Sequence, residues 1–373
     1  MKFLKSKYFN FALILGTLAL VLVINFANPK TSFQQTVTYL TSISIPSILI
    51  CVFLYLMYMG CDALSIWYFL RRVNCRVSLP YAYFASVAGQ YYSNVTPGAA
   101  GGQPMQIYYL HQRSVPTGIA TSALMTRYFG FQSMLVLIGT ILWATHIDYV
   151  RAAFEPDWYW ALFVGFGWNL LVLVLLVTFC FFRPAVRVCA DLLIKLGVKV
   201  RLIKNPDSTR KKWMKTVDSF HASMLDILHR PADLAVQLLI GAAQVLFLLS
   251  ITWFIYRDLG NGEAAFDQVI TLNVLQFMTA AYTPLPGGSG AMEVIFFKVF
   301  GGLFGTHEKT LAAQLLWRFF TYYMSILIGL VVLTVMGLRS GKSLKELANM
   351  RENVEAENEA REKEQTSETD ANG

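Results

Sequence analysis

The chain has 373 residues, of which 55% are apolar and 14% charged, with a mean hydropathy of +0.47 and a formal net charge of +8. This composition excludes an ordinary soluble domain. The basic excess does not read as nucleic-acid binding, because Lys and Arg collect beside the apolar runs, where they orient a chain in a bilayer and attract anionic lipid.

Lys2, Lys5 and Lys7 precede an apolar stretch at about 8–27. It lacks an A-x-A site and reads as an uncleaved first span rather than a signal peptide. A second span is predicted at about 44–70, followed by Arg71, Arg72 and Arg76. Next comes an apolar but interrupted segment, about 79–110, containing NVTPGAAGGQP (Asn94–Pro104). Spans follow at about 117–145, which holds Arg127, and 157–182. The loop 183–230 carries 11 Lys/Arg against 4 Asp and mixes them with apolar residues. It reads as helices lying on a leaflet; nucleic-acid binding is the rival. Spans at about 233–256 and 310–338 enclose a second interrupted segment, 266–306, containing YTPLPGGSGAMEV (Tyr282–Val294). Arg318 lies in the last span. From Gly341 the tail has 9 acidic and 5 basic residues and reads as a solvated helix end fraying into disorder.

The fold expected is an all-α polytopic membrane protein with about six full spans and two re-entrant broken-helix segments. Setting Pro97-Gly98 against Pro286-Gly287 puts Gly101 opposite Gly290, with the arginines 30 and 32 residues downstream of the prolines. The Lys/Arg distribution places both termini in the cytoplasm. The first broken segment then enters from the cytoplasm and the second from outside, which makes 44–145 and 233–338 inverted repeats within a membrane domain of residues 1–338. The alternative, two full spans per broken segment, needs longer arms. Broken backbone at membrane depth survives only where protein or a wet cavity satisfies it.

Four ionisable residues fall near mid-membrane: Asp62, Arg127, Glu293 and Arg318. Charges at this depth cost at least ~2.5–3.5 kcal/mol each, so they face a cavity or one another. Either they line a binding site or they are ion pairs bracing the bundle. The tip glycines also have two readings. The run Gly98, Ala99, Ala100, Gly101, Gly102 presents successive amides at a helix start, which attract phosphate; small residues there also permit close helix packing. Gln103 and its polar neighbours add a polar lining, and Gly287, Gly288 and Gly290 form the second tip. The five cysteines show no CxxC and the five histidines no metal spacing, so no metal or cofactor is expected.

The pair TPGAAGGQP…R and LPGGSGAME…R resembles the membrane half of lysylphosphatidylglycerol synthases (the MprF type) and their stand-alone flippase-like relatives, over about residues 8–338. The resemblance implies a bacterial plasma-membrane protein that moves a phospholipid, such as lysyl-phosphatidylglycerol, between leaflets. It also implies that Asp62, Arg127 and Glu293 are its functional intramembrane charges; Arg318, Pro97 and the tip glycines join them as candidate substrate-binding residues from the reading of the motifs above. Two departures stand out. The family's first motif continues GGE-x-x-R, whereas this chain has Gln103 and Gln106 at those positions. Full-length synthases carry a soluble aminoacyl-transferase domain, and the largest soluble stretch among these residues is too short to build one. Catalysis by this chain alone is therefore not expected. With no ATP-binding loop, movement would draw on gradients or downhill flow. The expected partners are the membrane and an anionic or aminoacylated phospholipid, with a homo-oligomer left open. The alternatives are a membrane subunit of a phosphatidylglycerol lysyltransferase whose catalytic domain is a separate chain, and a non-catalytic scaffold for envelope machinery.

Overall fold

The computed structural model describes residues 32–153, 159–182, 230–280, 288 and 290–340, with scattered positions between 184 and 226. Two compact units divide the chain, Met1–Leu327 and Ile328–Gly373. The relationships below lie within the first; the described part of the second, residues 328–340, is the end of the last helix.

Every described element is helical. In chain order they are α1 (Phe33–Ser42), α2 (Ile45–Arg72), α3 (Leu79–Asn94), a 3-10 turn (Pro97–Ala99), α4 (Gly102–His111), α5 (Thr117–Thr145), α6 (Ile147–Ala153), α7 (Tyr159–Phe181), α8 (Pro231–Leu259), α9 (Phe266–Ala280), α10 (Ala291–Phe304), α11 (His307–Arg318), a π turn (Phe319–Tyr323) and α12 (Met324–Ser340). Local chemistry sets their starts. The Ser32, Ser44 and Thr306 hydroxyls accept the N–H groups of Gln35, Ser47 and Lys309, each at 3.3 Å, and so cap α1, α2 and α11. Proline stands in the first turn of α2, α3 and α8, where its missing N–H costs nothing.

Among the described residues, five stretches are long and apolar enough to cross a membrane: Ile45–Arg72, Thr117–Thr145, Tyr159–Thr178, Pro231–Leu259 and His307–Val335. They correspond to five of the six spans expected from sequence; the span at 8–27 lies outside the described residues, as do the tail from 341 and most of the basic loop. Two short helices, α1 and α6, occupy stretches that the sequence reading left as connections. The last span is not regular, because a π turn interrupts it immediately after Arg318.

The frame is an antiparallel pair, α2 against α8. At one end the carboxylate of Asp258 accepts the Ser44 N–H at 2.9 Å. At the other, Arg72 donates to Asp233 through Nε at 2.8 Å and Nη2 at 2.5 Å. Between these ends, Ser65 and Gln237 exchange hydrogen bonds of 2.5 and 3.1 Å. α5 crosses α8 where two glycines meet: a Cβ on Gly241 would lie 2.5 Å from the carbonyl of Gly130. Small residues let the backbones approach, which is how helices associate when lipid offers no hydrophobic drive.

Each interrupted segment folds back as a helical hairpin. In the first, the Tyr81 hydroxyl at the start of α3 donates to the Tyr109 carbonyl near the end of α4 at 2.7 Å. Near its tip, Gly102 packs against the Ser93 side chain and the Gly89 carbonyl. The second closes through the Asn261 N–H on the Leu303 carbonyl at 3.1 Å, just past the end of α8. The arms hold 16, 10, 15 and 14 residues; at 1.5 Å per residue even the longest covers only ~24 Å of a ~30 Å hydrocarbon core. Because α2 and α8 are antiparallel, hairpins that follow their C-termini enter the bundle from opposite ends.

Candidate functional site

The two tips converge on a cavity of about 760 Å³. Gly98, Ala99 and Ala100 of the first tip and Gly288 and Met292 of the second lie on its wall. Gly98 and Ala99 have φ of +60° and +55°, and Gly288 and Gly290 have +68° and +93°. Left-handed backbone of this kind explains the glycines at three of these positions; Ala99 adopts it at a steric cost.

Both arginines expected from sequence reach this wall. Arg127 projects from α5 and donates through Nη1 to Asp62 on α2, and Gln244 of α8 donates to the same Asp62 oxygen at 3.3 Å. Asp62 thereby ties three spans together. Arg318 donates through Nε to Glu293 at 2.5 Å, and the other Glu293 oxygen accepts the N–H of Gly290, the cap of α10, also at 2.5 Å. A carboxylate at that position favours the helix start electrostatically as well. The pairs differ in exposure. Arg127 keeps 15% of its side chain accessible and Arg318 4%, while Asp62 keeps 6% and Glu293 none.

The remaining candidates divide by position. Gly98, Gln103 and Gly288 are wall residues with the arginines. Asp62, Glu293, Gly101, Gly102 and Gly290 stand behind the wall, where the acids hold the arginines and the glycines hold the tips. Pro97 opens the 3-10 turn, and Gly287 lies outside the described residues. Two tip amides are used internally: Gly101 N–H bonds the Thr96 hydroxyl at 2.9 Å and Ala99 N–H the Thr96 carbonyl at 3.2 Å. Close packing, the plainer reading of the glycines, is what Gly102 displays.

The sequence reading did not single out the amides on the far side. Gln132 of α5 donates to the Asn169 side chain on α7 at 3.0 Å, and Asn169 donates to the Met278 carbonyl at 2.8 Å, where α9 ends. Asn273 donates to Thr252 on α8 at 2.6 Å. With Gln244 these residues are buried yet belong to the cavity wall. The signal was present as single amides inside apolar runs, which would cost several kcal/mol if left unpaired in lipid.

Membrane-length helices, with two broken hairpins that enter from opposite ends and one polar, arginine-bearing cavity between them, define a polytopic α-helical membrane protein. The chain belongs to the family described as the lysylphosphatidylglycerol synthase TM region, whose model matches residues 11–329 and so contains both motifs and all four charges. No curated protein matches it. Membership gives a membrane protein with a lipid-related function.

Proposed function

We propose that this chain is a phospholipid translocase of the bacterial plasma membrane, with both termini cytoplasmic. The observation that carries the reading is the placement of two guanidinium groups, Arg127 and Arg318, on the wall of a cavity lined by residues of both interrupted segments. A phosphate crossing bare hydrocarbon would pay on the order of tens of kcal/mol by Born estimates. Donors fixed at mid-depth replace its lost water, as arginine's fork suits a phosphodiester. The head group would pass through the cavity while the acyl chains remain in lipid. Asp62 and Glu293 hold the two guanidiniums in place, and the amides of Gln103, Gln132 and Asn169 complete a polar path.

The test is a leaflet-resolved assay in proteoliposomes with a panel of head-group-intact lipids. Wild-type protein should equilibrate lipid between leaflets, and Arg127→Ala should fall to the protein-free rate while remaining monodisperse in detergent. A well-folded Arg127→Ala protein that moves lipid at the wild-type rate defeats the reading.

A further inference from the structure

The root of the second hairpin is tied to a neighbouring span by a side chain that can change its charge. His146, the residue at the C-terminal cap of α5, points Nε2 at the Asp267 carboxylate in the first turn of α9, 2.9 Å away. Its Nδ1 lies 3.2 Å from the Leu142 carbonyl and 2.9 Å from the Thr145 hydroxyl. That hydroxyl has acceptors of its own, the Ile141 and Leu142 carbonyls at 2.9 and 3.2 Å. Both ring nitrogens therefore face acceptors. A carbonyl and a carboxylate can only accept, so the doubly protonated ring is the form that donates to both at once. A neutral ring gives up one bond, or needs the Thr145 hydroxyl turned away from the helix carbonyls.

Position favours the charged form of each partner. His146 sits where the carbonyl end of α5 attracts a cation, and Asp267 where the amide end of α9 attracts an anion. The bond from His146 holds the Asp267 carboxyl below the usual carboxylate range. Water reaches both, since their side chains keep 19% and 54% of their area accessible. The other charged groups described on neighbouring elements have partners of their own. Asp148 and Arg151 of α6 pair at 3.8 Å, and Glu263, just before α9, accepts from Asn261 at 3.0 Å. Arg257 and Asp258, at the end of α8, engage Ser47 and Ser44, and α10 contributes Lys298. Tyr149 of α6, Tyr159 of α7 and Tyr256 of α8 belong to a class that ordinarily titrates at about pH 10. Histidine alone in this set ordinarily changes charge between about pH 5 and 8. A second histidine at this end, His307 of α11, stacks on Phe297 instead.

The deep end of α9 is fastened too, where Asn169 donates to the Met278 carbonyl at 2.8 Å, but that bond has no titratable group. Protonation acts at the root. We infer that His146 and Asp267 form a proton-dependent clasp on the second hairpin: acid at that face of the membrane charges the ring and fastens α9 to α5, and neutral or alkaline solution loosens it. The clasp joins the span that bears Arg127 to the hairpin whose other arm bears Glu293. In the orientation proposed above this face is the outer one. The stabilisation is present below the titration range of histidine and is lost as pH rises through it. It is also lost below about pH 4, where the carboxylate takes a proton.

Hydrogen exchange of the full chain in detergent tests this, read over residues 266–273 of α9 and corrected for the intrinsic effect of pH on exchange. Opening there should be about two- to fivefold rarer at about pH 5.5 than at about pH 8 in the wild-type chain. His146→Gln keeps a donor for Asp267 but cannot take a charge, and it should abolish the difference. Asp267→Asn should do the same, whereas His307→Gln should leave the difference in place. A wild-type chain without the difference, or an undiminished difference in His146→Gln, overturns the inference. Faster exchange in His146→Gln by one common factor at both pH values would mark a plain hydrogen bond and overturn it as well. The measurement needs no substrate, so its outcome is separate from that of the translocase reading.

Discussion

Glu293 accepts from Arg318 at 2.5 Å with one oxygen and from the Gly290 N–H at 2.5 Å with the other, so a single carboxylate is both a counter-ion and a helix cap. Neither side chain is appreciably accessible, at 0% and 4%. The Asp62–Arg127 pair is built differently, because its arginine opens further onto the cavity and its acid also accepts from a second span through Gln244.

That contrast makes the sealed pair the one whose loss should be felt first in stability. Removing one member of the sealed pair leaves a buried charge, at a cost of about 3–5 kcal/mol. Glu293→Ala and Arg318→Ala should therefore lower the thermal midpoint in detergent and the yield before transport is measured. The double variant Glu293→Gln/Arg318→Gln should recover part of that loss without recovering transport. A Glu293→Ala protein with the wild-type midpoint would show that the pair does not brace the second tip.

The first tip is fastened to the last span. Asn94 donates to the Ser325 hydroxyl through its side chain, and its carbonyl accepts from the Tyr322 hydroxyl at 3.0 Å. A double-mutant cycle with Asn94→Ala and Ser325→Ala should return a coupling of about 0.5–3 kcal/mol in unfolding measurements. Additive losses would mean that the two residues do not share an interaction.

The crossing of α5 and α8 makes a packing prediction with an internal control. At Gly241 an added methyl would press on the backbone of Gly130 at 2.5 Å, and backbone cannot rotate aside. Gly241→Ala should cost about 1–3 kcal/mol. At Gly60, also within a span, nothing lies within 4 Å of the added carbon. Gly60→Ala should be neutral or stabilising by up to about 1 kcal/mol. Equal thermal shifts for the two variants would contradict the close crossing.

Orientation is open to chemical labelling. Single cysteines at Arg113, beyond the first hairpin, and at Lys309, beyond the second, should react with impermeant reagents from opposite faces of oriented vesicles. Reaction of both from one face would rule out inverted repeats relative to the membrane.

Much of this architecture is written locally and so could be read from the chain. The span read at 117–145 coincides with α5, and that at 44–70 misses α2 by one residue at its start and two at its end. Length and hydropathy alone fix such elements. The duplicated Pro-Gly tips and their arginines were legible for a different reason, since charge and broken backbone inside hydrocarbon demand an explanation. What escaped notice depends on pairing across the fold. Gln132, Asn169, Gln244 and Asn273 each look incidental in their own helices, and only the packing of α5, α7, α8 and α9 brings them to one wall. The same holds for the acids. Sequence places Asp62 and Glu293 at the right depth but cannot say that the arginines stand in front of them. The π turn has no hydropathy signature either, because it changes the phase of a helix and not its polarity.

That turn sets the angular phase between the anchors of the two hairpins. A π turn bonds i to i+5 and holds one residue more than α geometry would. On its N-terminal side Arg318 grips the second hairpin through Glu293; Tyr322 within it and Ser325 beyond it grip the first through Asn94. One residue of α-helix corresponds to about 100° of rotation. Were the same sequence to run through 319–323 as regular α-helix, the span would remain as long and as apolar as a membrane requires, yet one set of grips would swing to a different side from the other. The surplus residue thus works as a phase setting between the anchors of the two hairpins.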